Sequence, residues 1–167
     1  FNIGYVEIVR AIPLLVLILW IYYGLPIMTG ISFSPFVSGI IALSISESAF
    51  QAEIFRAGIN SIKKSQWEAG SSLGLNFFRK LKLVILPQAL RSMIPSLTNQ
   101  YLNCWKNSSL ALIISFSDHF AVTMTIVNNA GQAVPAFIML LVTYQIGSLL
   151  ISAIMNYLNS RVTSVKI

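Results

Sequence analysis

AIPLLVLILWIYYGLPIMTGISFSPFVSGIIALSIS, residues 11–46, contains no Asp, Glu, Lys or Arg. It is too long for a single bilayer crossing of about 20 residues, and too apolar for the surface of a soluble domain. Gly24, Pro26, Gly30 and Pro35 punctuate its middle. These residues predict two helices joined by an uncharged turn, roughly Tyr5 to Leu25 and Phe36 to Asn60. Residues 119–160 are equally free of charge. Their first part is polar and turn-rich, and an unbroken apolar run from Ala136 to Leu158 follows, long enough to span. A further span is predicted between Gln88 and Ser115, despite Pro95 and Lys106. The backbone must be helical wherever lipid touches it, because unpaired N–H and C=O groups are too costly there.

The whole composition agrees. Of 167 residues, 56% are hydrophobic and 10% charged, where an ordinary soluble domain carries about 25% charged residues. The net charge is +6, which in a soluble protein would suggest a nucleic-acid partner. The distribution argues against nucleic acid. Arg56, Lys63, Lys64, Arg79, Lys80, Lys82 and Arg91 cluster between the apolar tracts, while the regions near 25–35 and 116–135 hold no base. With four spans, Arg10, the cluster, Arg161 and Lys166 fall on one side. That asymmetry puts the 61–87 loop and the C-terminus in the cytoplasm. The expected fold is therefore an all-α membrane protein with about four transmembrane helices. Cys104, the single cysteine, reads as a structural thiol. The chain begins at Phe1 with no basic leader or cleavage site, so no signal peptide is read and an N-terminal truncation is expected.

The loop from Ser61 to Gln88 reads SIKKSQWEAGSSLGLNFFRKLKLVILPQ. Trp67, Gly70, Ser71, Gly74, Leu75 and Phe78 recur at helical spacing, which predicts a short helix with small and aromatic residues on one face. Pro87 is expected to end or bend whatever precedes it. Spacing alone leaves two readings, an amphipathic helix lying in the membrane interface or a helix that docks on a partner.

The motifs in this loop decide for the second reading. Glu68-Ala69-Gly70, Gly74 and Val84-Ile85-Leu86-Pro87 resemble the cytoplasmic signature of ABC importer permeases, which is Glu-Ala-Ala, three residues, Gly, nine residues, Ile-x-Leu-Pro. Gly70 replaces the second Ala and Val84 the Ile. The segments 5–15, 52–59, 86–91 and 100–111, with Gly131-Gln132-Ala133, are similar to the polar and general L-amino acid branch of that family. The resemblance covers nearly the whole chain and implies one transmembrane permease domain over 1–167, with 61–87 as a cytoplasmic coupling loop inside it. Members usually carry at least one more N-terminal span. The resemblance further implies a bacterial inner-membrane protein, multi-pass, that does no covalent chemistry. Its partners would be a second permease subunit (a heterodimer favoured over a homodimer), a cytoplasmic ATPase dimer and a periplasmic or extracellular amino-acid-binding protein. The coupling helix would lie within 67–75. Trp67, Glu68, Ala69, Gly70, Gly74, Leu86 and Pro87 would couple to the ATPase, Glu68 by a polar contact and Gly74 by close backbone approach. No Gly-x-x-x-x-Gly-Lys-Ser/Thr occurs in the chain, so no cofactor is expected on it, and ATP and Mg belong to the partner ATPase.

Charged and polar residues inside spans are expensive and usually pair or face water. Lys106 lies about 22 Å past Arg91 along a helix, and Glu47 about 14 Å from Arg56. Both are pathway candidates: Lys106 lines the pathway and meets the substrate carboxylate, or pairs with Glu47, or snorkels outward for packing only. Asn107 and Ser108, with Ser109 and Thr98, offer neutral donors and acceptors suited to an amino-acid zwitterion. Ordinary interhelical hydrogen bonding accounts for them equally. Asp118 and His119 make no nucleophile or metal constellation, so an outer-loop contact is expected there. Glu7 with Arg10 and Glu53 with Arg56 are spaced for helix-end ion pairs. The competing class is an ion-coupled secondary carrier or channel without an ATPase. The signature loop and the lack of internal repeats weigh against it.

Overall fold

The computed structural model describes residues 3–131 and 133–163. Gln132 and Lys166, used above for the resemblance and the orientation, lie outside the described residues. Among the described residues the secondary structure is helical throughout: α1 (Ile3–Ala11), α2 (Leu14–Leu19), a π-turn (Trp20–Gly24), α3 (Leu25–Thr29), α4 (Pro35–Asn60), α5 (Lys64–Ser72), α6 (Phe77–Lys80), a second π-turn (Leu81–Ile85), α7 (Leu86–Asn107), a 3-10 segment (Ser108–Ile114), α8 (His119–Ala130) and α9 (Ala133–Thr163).

The expected first helix is broken near its start. Pro13 precedes α2 with an extended ψ, and its missing N–H and its clash with the preceding residue interrupt the helix at Ile12. The segments Gly4–Ala11 and Leu14–Thr29 meet at 93°. The second expected helix forms as α4, with Pro35 in its first turn and Ser34 capping it through Val37 N–H. The third forms as α7 and runs on into the 3-10 segment. Ala133–Arg161 is long and apolar enough to cross a membrane unbroken, and two bent pairs pass the same test when each is taken as one span: Gly4–Ala11 with Leu14–Thr29, and Phe77–Ile114 with His119–Ala130.

Packing follows residue size. Along α4, Ser38, Ala42, Ser46 and Ala49 are buried at four- and three-residue intervals, so one face is narrow enough for close helix approach, which drives association where lipid removes the hydrophobic incentive. Ile18, Ile21, Ala42 and Ile114 form the apolar centre, with Leu14, Leu17, Tyr22, Ile41, Ile45 and Leu110 packed around it. Nearer the basic end, a Cβ on Gly58 would come within 2.3 Å of Met93 Cγ, which lets α4 and α7 lie side by side. Arg10 reaches Glu53 at 3.8 Å and sits 5.4 Å from the centre of the Phe50 ring. This pins α1 to the end of α4 that carries Arg56, on the side that the distribution of bases requires. Arg56 pairs with Glu53 as the spacing predicted, while Arg10 takes the same carboxylate across the helix interface.

Candidate functional site

The loop folds into a hairpin of two short helices. α5 begins three residues after α4, with no side-chain cap at Lys63. It ends at Ser72 with Leu73 as its C-cap, and Gly74 follows with a φ of +70°, in the left-handed region, where a side chain is strained. Gly74 N–H donates to Ser71 O at 2.9 Å and Leu75 N–H to Gly70 O at 3.2 Å, a C-terminal closure of the kind glycine permits. Nothing in this chain lies within 4 Å of where a Gly74 Cβ would sit. Within the chain, then, the glycine answers to its backbone angle, not to a close neighbour. Asn76 restarts the chain as N-cap of α6, accepting from Arg79 N–H at 2.9 Å.

The helix does not stop at Pro87. α6, the π-turn and α7 run without a gap from Phe77 onward. Pro87 sits in the first turn of α7, directly after the π-turn, whose wider hydrogen-bond spacing accommodates its missing N–H. Ile85 is fully buried there, and Leu86 and Pro87 are half-buried.

The coupling candidates divide into two sets. Trp67 stacks on Phe77 with ring centres 6.3 Å apart, and Gly70 is buried against the stem of Lys80. These two face the chain's own loop. Glu68 and Ala69 are exposed, Glu68 pairing with Lys64 at 3.5 Å. Leu73 and Phe78 expose 77% and 78% of their surface, and Phe77 more than half. An acidic residue thus stands beside uncovered large apolar side chains. The contacts of Lys80, Phe77, Gln66 and Gln88 escaped the sequence reading of the loop. Their partners are distant in sequence, and only Val84-Ile85-Leu86-Pro87 carried a local signal.

The pathway candidates lie on α4 and α7. Glu47 is 8% exposed and accepts from Gln100 Nε2 at 2.9 Å. Lys106 is exposed in the last turn of α7, where a cation suits the helix C-terminus. Among the described residues, the Glu47–Lys106 pair considered above is replaced by this carboxylate–amide bond. Thr98 donates to Ile94 O and Ser108 to Trp105 O, each at 2.8 Å, so both hydroxyls spend their proton on their own helix. Asn107 closes α7, half-buried. Asp118 caps α8 by accepting from Ala121 N–H at 2.9 Å, which gives it a structural role. Among the described residues no group of three His, Cys, Asp or Glu could hold a metal.

A bent, membrane-length helical bundle with an amphipathic two-helix loop on its basic side defines a class of transport subunit. Residues 4–164 match the family described as binding-protein-dependent transport system inner membrane component, and the chain belongs to it. It is 46% identical over 131 residues to the general L-amino acid transport system permease protein AapQ of Rhizobium johnstonii, covering 78% of this chain and 33% of that one. It is 34% identical over 168 residues to the glutamate/aspartate import permease protein GltK of Escherichia coli, covering 96% of this chain and 75% of that one. A crystal structure of an amino acid ABC transporter with histidines superimposes with a TM-score of 0.85 at 33% identity, over 95% of this chain and 73% of that one. The chain therefore spans a third of AapQ and about three quarters of the other two.

Proposed function

We propose that this chain is the membrane part of an ATP-driven amino-acid importer, a multi-pass inner-membrane permease that takes its motor from a separate ATPase pair through the 61–87 loop. One observation carries the reading. α5 stands between α4 and α7 with Glu68 outward among exposed bases and Leu73, Phe77 and Phe78 uncovered, a charged and apolar surface suited to the groove of a cytoplasmic partner. Trp67, Gly70, Leu86 and Pro87 hold that surface in shape from behind, and Gly74 ends its helix. ATP and Mg bind the partner, and the chain itself performs no hydrolysis. A binding protein delivers the amino acid from outside. A sister permease completes the pathway, as a heterodimer in preference to a homodimer. Lys106 serves the substrate carboxylate. Thr98, Asn107 and Ser108 set polarity around the path, and Glu47 lies deeper between the helices.

The test is uptake of radiolabelled L-glutamate and L-glutamine in proteoliposomes holding the full-length permease, its sister subunit, the ATPase and the binding protein. Wild type is compared with Glu68→Ala and Gly74→Trp, after confirming membrane insertion. Loss of uptake together with loss of ATPase co-purification is the expected result. Normal uptake and association in both variants overturns the docking role of the loop. Uptake that persists without the ATPase returns the chain to the class of ion-coupled carriers.

A further inference from the structure

α5 is joined to two helices, and the two junctions are built differently. On the α4 side the link is the three-residue turn Ser61–Lys63, with no side-chain cap on α5; its Ser61 hydroxyl donates back to Gly58 O at 2.7 Å and lies 3.3 Å from Ser92 Oγ on α7, so it ties the turn to the bundle and not to α5. On the α7 side the links are side chains. Gln88 Nε2 donates to Gln66 Oε1 at 3.2 Å and to Val84 O at 2.9 Å, and Trp67 stacks on Phe77. Lys80 lies across α5 itself. Its ammonium donates to Ser71 Oγ, and its stem so fills the space over Gly70 that a Cβ there would meet Lys80 Cγ at 2.7 Å and Cδ at 3.2 Å. Lys80 is the last residue of α6, and the backbone continues from it through the π-turn into α7.

We propose that Lys80, seated over Gly70, is the positioning residue that fastens α5 to the cytoplasmic root of α7, so that displacement of the loop enters the bundle through α7 and not through α4. The inference rests on α5 being the coupling helix. It adds which of the two flanking helices receives the motion. The geometry makes Gly70 and Lys80 one device. Any side chain at 70 strikes the stem near its root, where relief requires turning the whole lysine away from Ser71. A helix held at Trp67, Gly70 and Ser71 by side-chain contact and at Gln66 by an amide pair moves with its support, whereas a three-residue turn with no side-chain cap on α5 absorbs rotation. α7 then carries the displacement directly to Gln100, the donor to Glu47, and on to Lys106.

The experiment measures the fastening without reference to docking. Spin labels are placed at Ser65→Cys on α5, outside the coupling residues, and Leu90→Cys on α7, both exposed positions, in a Cys104→Ser background. The full-length permease is assembled with its partner subunits in lipid, and the label distance is read by pulsed electron spin resonance. The expected result is one narrow distance maximum, lost in Lys80→Ala and in Gly70→Ala and kept in Lys80→Arg, which retains stem and donors. Adding Gly70→Ala to Lys80→Ala changes nothing further, because the clash partner is already gone. In the same preparations the two single alanine variants lower uptake per ATP hydrolysed while the ATPase still co-purifies, and Lys80→Arg restores the ratio. A narrow distribution that survives Lys80→Ala overturns the proposal. So does a Gly70→Ala defect that persists in full when Lys80 is already alanine, since the glycine would then answer to the partner. Failure of Glu68→Ala to affect docking sinks the coupling-helix reading instead, and the two failures are told apart by which variant is silent.

Discussion

Around Ile18, Ile21, Ala42 and Ile114 the helices meet through side chains without a polar atom. Around Gly70 they meet through a lysine, two glutamines and an indole. The first region gains from close packing, and every contact is shared among several neighbours. The second is assembled from a few long side chains, each with one or two partners, on an exposed hairpin. Substitutions in the bundle should therefore cost stability, while those in the loop should cost transmission and leave the bundle standing.

The strongest way to break that contrast is Ile18→Ala. Ile18 is fully buried, and truncation of a core isoleucine costs about 2–5 kcal/mol where the site cannot collapse. Reversible unfolding in mixed micelles should show that loss, and a change near zero would mean the bundle centre is loosely packed. Next comes Gln100→Leu, which removes the amide donor to the buried Glu47 carboxylate and leaves it the Cys104 thiol. An unsatisfied buried polar group costs about 1–3 kcal/mol. Glu47→Gln in the same background should recover part of the loss, and absence of recovery would mean that Glu47 draws on another donor. Smaller again is Gly74→Ala, for which the left-handed backbone costs about 1–2 kcal/mol. Gly74→Asn should cost less, since asparagine tolerates that conformation, and equal losses would trace the effect to the side chain. Smallest in stability is Glu68→Ala. Its exposed pair with Lys64 is worth less than about 1 kcal/mol, so the unfolding midpoint should hold while co-purification of the ATPase falls. A stability loss as large as that of Ile18→Ala would erase the difference between the two regions.

Much of the bundle could be read in advance because its signals are local. The charge-free run after Pro135 forms α9, and the cap at Ser34 and the proline at 35 open α4 close to its expected start. The break at Pro13 was also local, but hydropathy across 11–25 masked it, since apolar residues continue on both sides of the bend. The loop's motif residues were legible as a set, and the burial of Gly70 agrees with a small residue at that position. What covers Gly70 was not legible. Lys80 lies ten residues on, and in the sequence it is one base among seven. Its stem counts for packing here, which charge patterning does not express. The partner of Glu47 was hidden for the same reason: Gln100 stands on another helix, and the competing base, Lys106, was the more conspicuous residue in the sequence.

The π-turn at Leu81–Ile85 also bears on the length of the loop. A π-turn holds one residue more than the α-helical path it replaces. Deleting a single residue between 81 and 85 would let that stretch close into ordinary helix and leave what precedes it near its present angle, whereas a deletion from the regular helix beyond Leu86 would swing everything before it by about 100° around the axis of α7. The length of the regular helix beyond the π-turn is therefore an angular setting as well as a count. An insertion or deletion in this stretch would re-aim Glu68 and Phe78 around the helix without altering either side chain.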